Sequence, residues 1–121
     1  MAHGQRVDVD GYQIYMESAG TDSPTVIFEC GMECGAASLA NLAAAVQKFT
    51  RTLIYDRAGL GQSDPAPTPR TSQDVVNDLW RLLEQTQIAG PYLLVGHSFA
   101  GLHLRLFAHQ HPQSVVGLVL L

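Results

Sequence analysis

The chain has 121 residues, of which 46% are apolar and 15% are charged. This length fits one globular domain with its own hydrophobic core, and the apolar fraction excludes a disordered chain. Seven Lys and Arg against eleven Asp and Glu give a net charge of -4, which predicts no nucleic-acid or anionic-membrane surface and favours a small neutral molecule or another protein as the partner.

Neither end of the chain carries a recognisable targeting signal or membrane span. Residues 1–10 are polar and lack the apolar core of a signal peptide, so we expect a cytoplasmic protein. The longest strongly apolar stretch, Val115 to Leu121, is too short to cross a bilayer.

The first thirty residues predict a hairpin followed by a buried strand. Apolar and polar residues alternate over residues 7–16 on both sides of Asp10-Gly11, which is typical of two antiparallel strands joined by a tight turn. The continuous run over residues 25–28 (TVIF) predicts a strand that is buried on both faces.

Cys30 and Cys34 follow this strand and are the only cysteines of the chain. A CxxxC pair without a second pair of ligands is weak evidence for zinc, and a disulfide is disfavoured in the cytosol. We therefore expect two free thiols, no metal and no cofactor.

Strands and helices alternate through the rest of the chain. The predicted elements are a helix over 36–49, a strand over 52–55, a long loop over 56–69, a helix that begins with the capping box at 71–74 and stops at Gly90-Pro91, a strand over 92–95, a helix over 99–109 and a strand over 115–121. The predicted inner faces comprise Leu39, Leu42, Ala43, Val46 and Phe49 in the first helix, Val75, Val76, Leu79, Leu82 and Leu83 in the second, and Leu102, Leu106 and Phe107 in the third.

This alternation predicts a mostly parallel sheet with helices on both faces. Ligands bind such sheets beyond the carboxyl ends of the strands. The segments that follow three predicted strands, 30–35, 56–64 and 96–101, are therefore the places where a site is expected.

The segment 96–101 (GHSFAG) lies between a predicted strand and a predicted helix, which is the context of a nucleophile elbow. A sharp turn there would expose the Ser98 hydroxyl, and its crowded backbone requires small residues two positions before and two positions after the serine. Gly96 and Ala100 satisfy this requirement, although Ala100 departs from the strict GxSxG pattern.

Three motifs in register make the chain resemble the N-terminal part of an α/β-hydrolase: Cys30-Gly31-Met32, residues 55–64 (YDRAGLGQSD) and residues 95–101 (VGHSFAG). The resemblance covers essentially all 121 residues and implies a three-layer α/β fold with an N-terminal antiparallel hairpin, incomplete at the C-terminus. Residues 1–121 would then form the N-terminal portion, through the sixth strand, of a single α/β-hydrolase domain. The resemblance also implies Ser98 as the nucleophile, the backbone N–H groups of Met32 and Phe99 as the oxyanion hole, and Gly96, His97, Ala100 and Gly101 as supports of the elbow.

Several of these residues also have a plainer interpretation. Ser98 by itself is compatible with an ordinary helix N-cap, and His97 is expected to point away from Ser98 around the turn. His103, His109 and His111 lie on the following helix, out of reach of the Ser98 hydroxyl, and are expected to be satisfied or solvated. Arg57 is a candidate to pair with a local carboxylate. Glu29 and Glu33 flank the first loop, where contact with substrate is one interpretation and a solvated carboxylate the default.

The resemblance places the acid and the histidine of the triad after the sixth strand, so both are expected beyond Leu121. The leading hypothesis is a serine hydrolase that cleaves small ester-like molecules through an acyl-enzyme on Ser98. The alternatives are a non-catalytic or partner-dependent truncated domain, or a parent protein that acts on amide, peptide or C–C bonds or in acyl transfer.

The last predicted strand, residues 115–121 (VVGLVLL), is apolar on both faces and contains neither charge nor proline. Such a strand at the edge of a sheet pairs readily with another chain. We therefore expect self-association, or a complementing C-terminal half, through this strand.

Overall fold

The computed structural model describes residues 3–121, which form a single sheet flanked by helices. In chain order the elements are β1 (His3–Asp8), β2 (Gln13–Ala19), β3 (Thr25–Glu29), a 3₁₀ turn (Ala36–Leu39), α1 (Ala40–Val46), β4 (Thr52–Tyr55), α2 (Ser72–Thr86), β5 (Tyr92–Gly96), α3 (Ala100–Gln110) and β6 (Val115–Leu120).

The six strands lie in the order β1-β2-β4-β3-β5-β6. β1 pairs antiparallel with β2, and β2 antiparallel with β4, whereas β4, β3, β5 and β6 run parallel to one another. Asp8 pairs with Gln13 next to the Asp10-Gly11 turn, which confirms the predicted hairpin. The mostly parallel sheet is confirmed as well.

Two hydrophobic clusters lie on opposite faces of the sheet, because successive strand residues alternate between them. Ile27 belongs to the larger cluster, and its neighbours Val26 and Phe28 belong to the smaller one. The larger cluster also contains the inner side chains of α2 and α3, and the smaller one those of the 3₁₀ turn and α1. The three-layer α/β architecture is therefore confirmed.

Helix α2 matches its predicted inner face, but it ends earlier than predicted. Val75, Val76, Leu79, Leu82 and Leu83 are all buried, and the capping box between Thr71 and Asp74 is present. The helix ends at Thr86 because Gln87 adopts a left-handed conformation with φ of 58°. Gly90-Pro91 is therefore not the stop signal.

The predicted first helix is wrong in its length and in part of its inner face. Only residues 40–46 are α-helical, and the backbone turns through bonds from Phe49 N and Thr50 N to the carbonyl of Val46. Phe49 consequently lies past the helix end and is 80% exposed, and Leu42 is 40% exposed.

In α3 the buried face is rotated from the predicted one. Ala100, His103, Leu104 and Phe107 are buried, whereas Leu102 is 54% exposed. A histidine on the buried face is what the hydrophobic pattern did not predict. None of the helices in residues 3–121 combines the length and the apolarity that crossing a membrane requires.

Candidate active site

The carboxyl ends of β3 and β5 bring two of the predicted segments together. These strands are neighbours in the sheet, with Glu29 paired to Gly96. The backbone N–H of His97 donates to the carbonyl of Glu29 at 3.1 Å. The turn after β5 therefore starts beside the loop after β3.

Ser98 occupies a sharp turn between β5 and α3. Its φ of 54° lies in the left-handed region, which is uncommon for a residue with a side chain and marks local backbone strain. Two short backbone bonds close the turn, from Ala100 N to the carbonyl of His97 at 3.1 Å and from Gly101 N to the carbonyl of Ser98 at 3.0 Å. Ser98 is exposed on this turn.

The residues two positions on either side of Ser98 are tightly enclosed. A Cβ added to Gly96 would lie 3.1 Å from Leu104 Cδ1 and 3.2 Å from the Gly101 nitrogen. Ala100 is completely buried. Both observations agree with the steric demand for small residues that the sequence predicted around an elbow.

The loop after β3 lies against Ser98. A Cβ added to Gly31 would come within 3.3 Å of Ser98 Cβ and 3.0 Å of His97 Nδ1. Within residues 3–121, the backbone N–H groups of Met32 and Phe99 donate to no protein acceptor. Met32 follows Gly31 and Phe99 follows Ser98, so both uncommitted donors belong to the two segments that meet at the serine.

Cys30 and Cys34 are joined by a disulfide, so the expectation of two free thiols is wrong. Their Cα atoms lie 5.6 Å apart, inside the range of about 4.4–6.8 Å that a disulfide spans. The chain doubles back here through a turn in which Cys34 N donates to the Gly31 carbonyl and Glu33 has a φ of 61°. The two sulfur atoms also lie within 4.8 Å of a nitrogen of the His97 imidazole.

Glu29 is buried under this loop and is not the solvated carboxylate that the sequence suggested. Its side chain is completely enclosed, the Tyr55 hydroxyl donates to its Oε1, and His103 Nδ1 lies 2.5 Å from its Oε2. The Arg57 guanidinium lies 3.5 Å from the same Oε2, which confirms that Arg57 pairs with a local carboxylate. Burial, followed by the negative charge of Glu29, raises the pKa of Tyr55 well above its ordinary value.

Arg57 also fastens the loop that lies against Ser98. Its Nη1 donates to the carbonyl of Cys30 at 2.5 Å and its Nη2 to the carbonyl of Gly31 at 2.6 Å. One buried guanidinium thus connects the Glu29 carboxylate to the backbone immediately before Met32. These contacts join segments more than twenty residues apart, and the only local signal for them is a glutamate at the end of a fully buried strand.

Asp56 holds the two loops on the β4 side of the site. This buried carboxylate accepts hydrogen bonds from Ala36 N at 2.6 Å and from Gln62 N at 2.9 Å. It thereby ties the start of the 3₁₀ turn to the loop after β4.

The other histidines are occupied elsewhere or lie apart from the serine. His103 is bound to Glu29, and the His111 ring stacks on Trp80 with 3.9 Å between the ring centroids. Burial lowers the pKa of His111. Within residues 4–121, no imidazole forms a hydrogen bond with the Ser98 hydroxyl.

Comparison with known proteins identifies a family and several similar proteins. A sequence model described as the alpha/beta hydrolase fold matches residues 24–121. The uncharacterized protein YqjL of Bacillus subtilis (strain 168) is 30% identical over 114 residues, which cover 93% of this chain and 45% of that protein. Proline iminopeptidase of Neisseria gonorrhoeae is 33% identical over 112 residues, which cover 90% of this chain and 36% of that enzyme.

The solved structures agree on the fold. Epoxide hydrolase CorEH superposes with a TM-score of 0.90 at 20% sequence identity, over 99% of this chain and 42% of that one. The chain therefore spans less than half the length of each of these three proteins.

Proposed function

Because the chain belongs to the alpha/beta hydrolase fold family, we propose that Ser98 is the nucleophile of a serine hydrolase that cleaves carboxylic esters through an acyl-enzyme. The observation that carries the proposal is the strained, exposed Ser98 on the turn after β5, packed against Gly31. A helix N-cap interpretation explains neither the left-handed backbone nor the neighbouring loop, since capping residues have extended backbone.

In the proposed reaction the Ser98 oxygen attacks the carbonyl carbon of the ester. The carbonyl oxygen becomes negatively charged and accepts hydrogen bonds from the backbone N–H groups of Met32 and Phe99. Collapse of the tetrahedral intermediate expels the alcohol and leaves the acyl group on Ser98, and water then hydrolyses this acyl-enzyme to the acid. Arg57 acts on this step through the backbone, because it holds the carbonyls of Cys30 and Gly31.

The hydroxyl needs a base to accept its proton. Since no imidazole of residues 4–121 bonds to Ser98, we propose that the histidine and its carboxylate belong to a part of the protein outside this segment. Without them, the remaining catalysis comes from the oxyanion hole and binding, typically about 10³–10⁴ over water when triad members are removed.

A second candidate reaction is the hydrolysis of an amide bond. It is favoured by the similarity to proline iminopeptidase, which extends over 90% of the chain. The same serine and the same two N–H donors would serve, because both reactions pass through an oxyanion. A p-nitrophenyl ester and proline p-nitroanilide distinguish the two bonds.

To test the proposal, imidazole is added to the solution in place of the missing histidine base. We expect the 121-residue chain to label slowly with a fluorophosphonate at Ser98, and to turn over a p-nitrophenyl ester faster when imidazole is added. Imidazole alone also cleaves this ester, so the relevant quantity is the excess rate over the Ser98→Ala variant at each imidazole concentration.

Ser38→Ala removes another exposed serine and is the matched control. It should retain both the labelling and the excess rate, while Ser98→Ala loses both. Labelling on a different serine, or an excess rate that persists in Ser98→Ala, would overturn the proposal. A folded protein without labelling at any imidazole concentration would favour a non-catalytic domain instead.

A further inference from the structure

We infer that the reduced protein binds a thiophilic divalent cation, of which zinc is the best match, through Cys30, Cys34 and His97. The sulfur atoms and one imidazole nitrogen lie within 4.8 Å of one another. Two thiolates and an imidazole are a donor set that zinc favours. The CxxxC pair alone is weak evidence, and the fold supplies the third ligand from the end of a different strand.

The backbone around these residues is well anchored. The His97 N–H donates to the Glu29 carbonyl at 3.1 Å, so His97 and Cys30 extend side by side from paired strand ends. The absent Cβ of Gly31 would lie 3.0 Å from His97 Nδ1, which shows that this nitrogen faces the loop. The buried Arg57 guanidinium donates a hydrogen bond to the Cys30 carbonyl. Metal binding would therefore require mainly rotation of the cysteine and histidine side chains, with little movement of the backbone.

The spacing matches a tetrahedral site once the sulfurs separate. Zinc–sulfur bonds of about 2.3 Å and zinc–nitrogen bonds of about 2.0–2.1 Å put two sulfurs roughly 3.8 Å apart and each sulfur roughly 3.6 Å from the nitrogen. Both separations fall inside the 4.8 Å that encloses the three ligand atoms. Because His97 is exposed and Cys30 is buried, the three ligands would hold the cation near the protein surface, and we expect water as its fourth ligand.

The disulfide makes binding conditional on reduction. A dithiol reductant transfers two electrons and two protons to the Cys30–Cys34 bond, which yields two thiols and the oxidised reductant. The incoming cation then displaces the thiol protons into solvent and is bound by the two thiolates. In the oxidised protein the sulfurs are bonded to each other and offer no thiolate.

The test titrates Co²⁺, a spectroscopic substitute for zinc, into the full chain under anaerobic conditions. We expect the reduced chain to develop thiolate-to-cobalt charge-transfer absorption that saturates at one ion per chain and is abolished by Zn²⁺. The oxidised chain and the reduced Cys34→Ser variant should show no such saturation. Circular dichroism verifies that each variant is folded.

His97→Asn decides whether the site has three ligands. It should weaken Co²⁺ affinity by at least the ten- to hundredfold that loss of even an outer-shell partner typically costs. His109→Asn, which removes an exposed histidine at the far end of α3, should leave the affinity unchanged. Absence of the charge-transfer band in the reduced chain, or equal affinity of His97→Asn and the wild-type chain, would overturn the inference.

Discussion

Arg57 combines two tasks in one buried side chain. It neutralises Glu29, and it satisfies the carbonyls of Cys30 and Gly31. Removing one member of a buried ion pair is costly, because the remaining charge is left without a partner in a medium of low dielectric. The loop beside Ser98 therefore depends on the buried charge of Arg57.

Replacing Arg57 tests this dependence. We expect Arg57→Met to lower the free energy of unfolding by about 3–5 kcal/mol and to slow fluorophosphonate labelling of Ser98. Urea denaturation measures the first effect. The double variant Arg57→Met with Glu29→Gln should lose less free energy of unfolding than the two single variants lose together, since it leaves no unpaired carboxylate charge at position 29.

Arg105→Met is the control, because Arg105 is exposed on α3. It should change the unfolding free energy by no more than about 0.5 kcal/mol. Strict additivity of Arg57→Met and Glu29→Gln would mean that the two side chains do not interact energetically.

The residues around Ser98 and Glu29 show what a sequence can and cannot predict. The sharp turn at Ser98 and the tight enclosure of Gly96 and Ala100 are predictable because they depend on neighbours within a few positions. Glu29 and His103 stand 74 residues apart, and only the packing of α3 against β5, the neighbour of β3, brings them together. The disulfide was missed for a different reason, since two nearby cysteines fit both a free pair and a closed turn until the backbone direction is known.

Among the elements, strands were predicted more closely than helices. Continuous apolar runs correctly located β3, β4 and β5, whose residues are nearly all buried. In α3 the apolar spacing correctly placed Phe107 inside but missed His103, because His103 is buried through its bond with Glu29 rather than through hydrophobicity. Helix α2 also buries a charged residue, Asp78, which is bound by Tyr12 and Arg70, yet its apolar pattern and its cap were both predicted.

The cap of α2 has a pH dependence of its own. The Asp74 carboxylate accepts a hydrogen bond from the Thr71 N–H at 2.8 Å, and this bond lowers the pKa of Asp74 from its ordinary 3.8. The folded state thus favours the charged form. The resulting stability is complete above the unfolded pKa and is lost as the pH falls through the lower, folded pKa.

We expect Asp74→Asn to be less stable than the wild-type chain at neutral pH, with the difference disappearing as the pH drops below 3.8. Thermal unfolding of both proteins from pH 7 to pH 2 measures this stability difference. Gln73→Ala changes the same helical turn without removing a charge, and its effect should not vary with pH. A constant difference for Asp74→Asn from pH 7 to pH 2 would contradict the assignment.

At the scale of the whole molecule, the two edges of the described sheet differ in character. β1 contributes the charged residues Arg6 and Asp8, whereas β6 is uncharged and exposes Val116, Val119 and Leu120. An uncharged apolar edge is a template for pairing with another strand. We propose that copies of the chain associate through β6.

Val119→Lys places a charge on this edge and should shift the weight-average mass from light scattering toward the monomer. Phe49→Lys is the matched control, since Phe49 is the more exposed side chain, at 80% against 41% for Val119, but lies away from the edge. If the wild-type chain is monomeric at high micromolar concentration, or if only Phe49→Lys reduces the mass, β6 is not the contact.

The backbone at the end of β6 is hydrogen-bonded to the turn that carries Ser98. Leu121 N donates to the Gly96 carbonyl at 2.8 Å, and the Leu121 carbonyl accepts from Ser98 N at 3.0 Å. These two bonds extend the ladder of backbone hydrogen bonds between β5 and β6 as far as the left-handed turn at Ser98. Amide hydrogen exchange at Ser98 should follow the opening of β6 rather than that of α3. A strand that pairs with β6 would slow this exchange, so assembly at the edge would also stabilise the geometry of the serine.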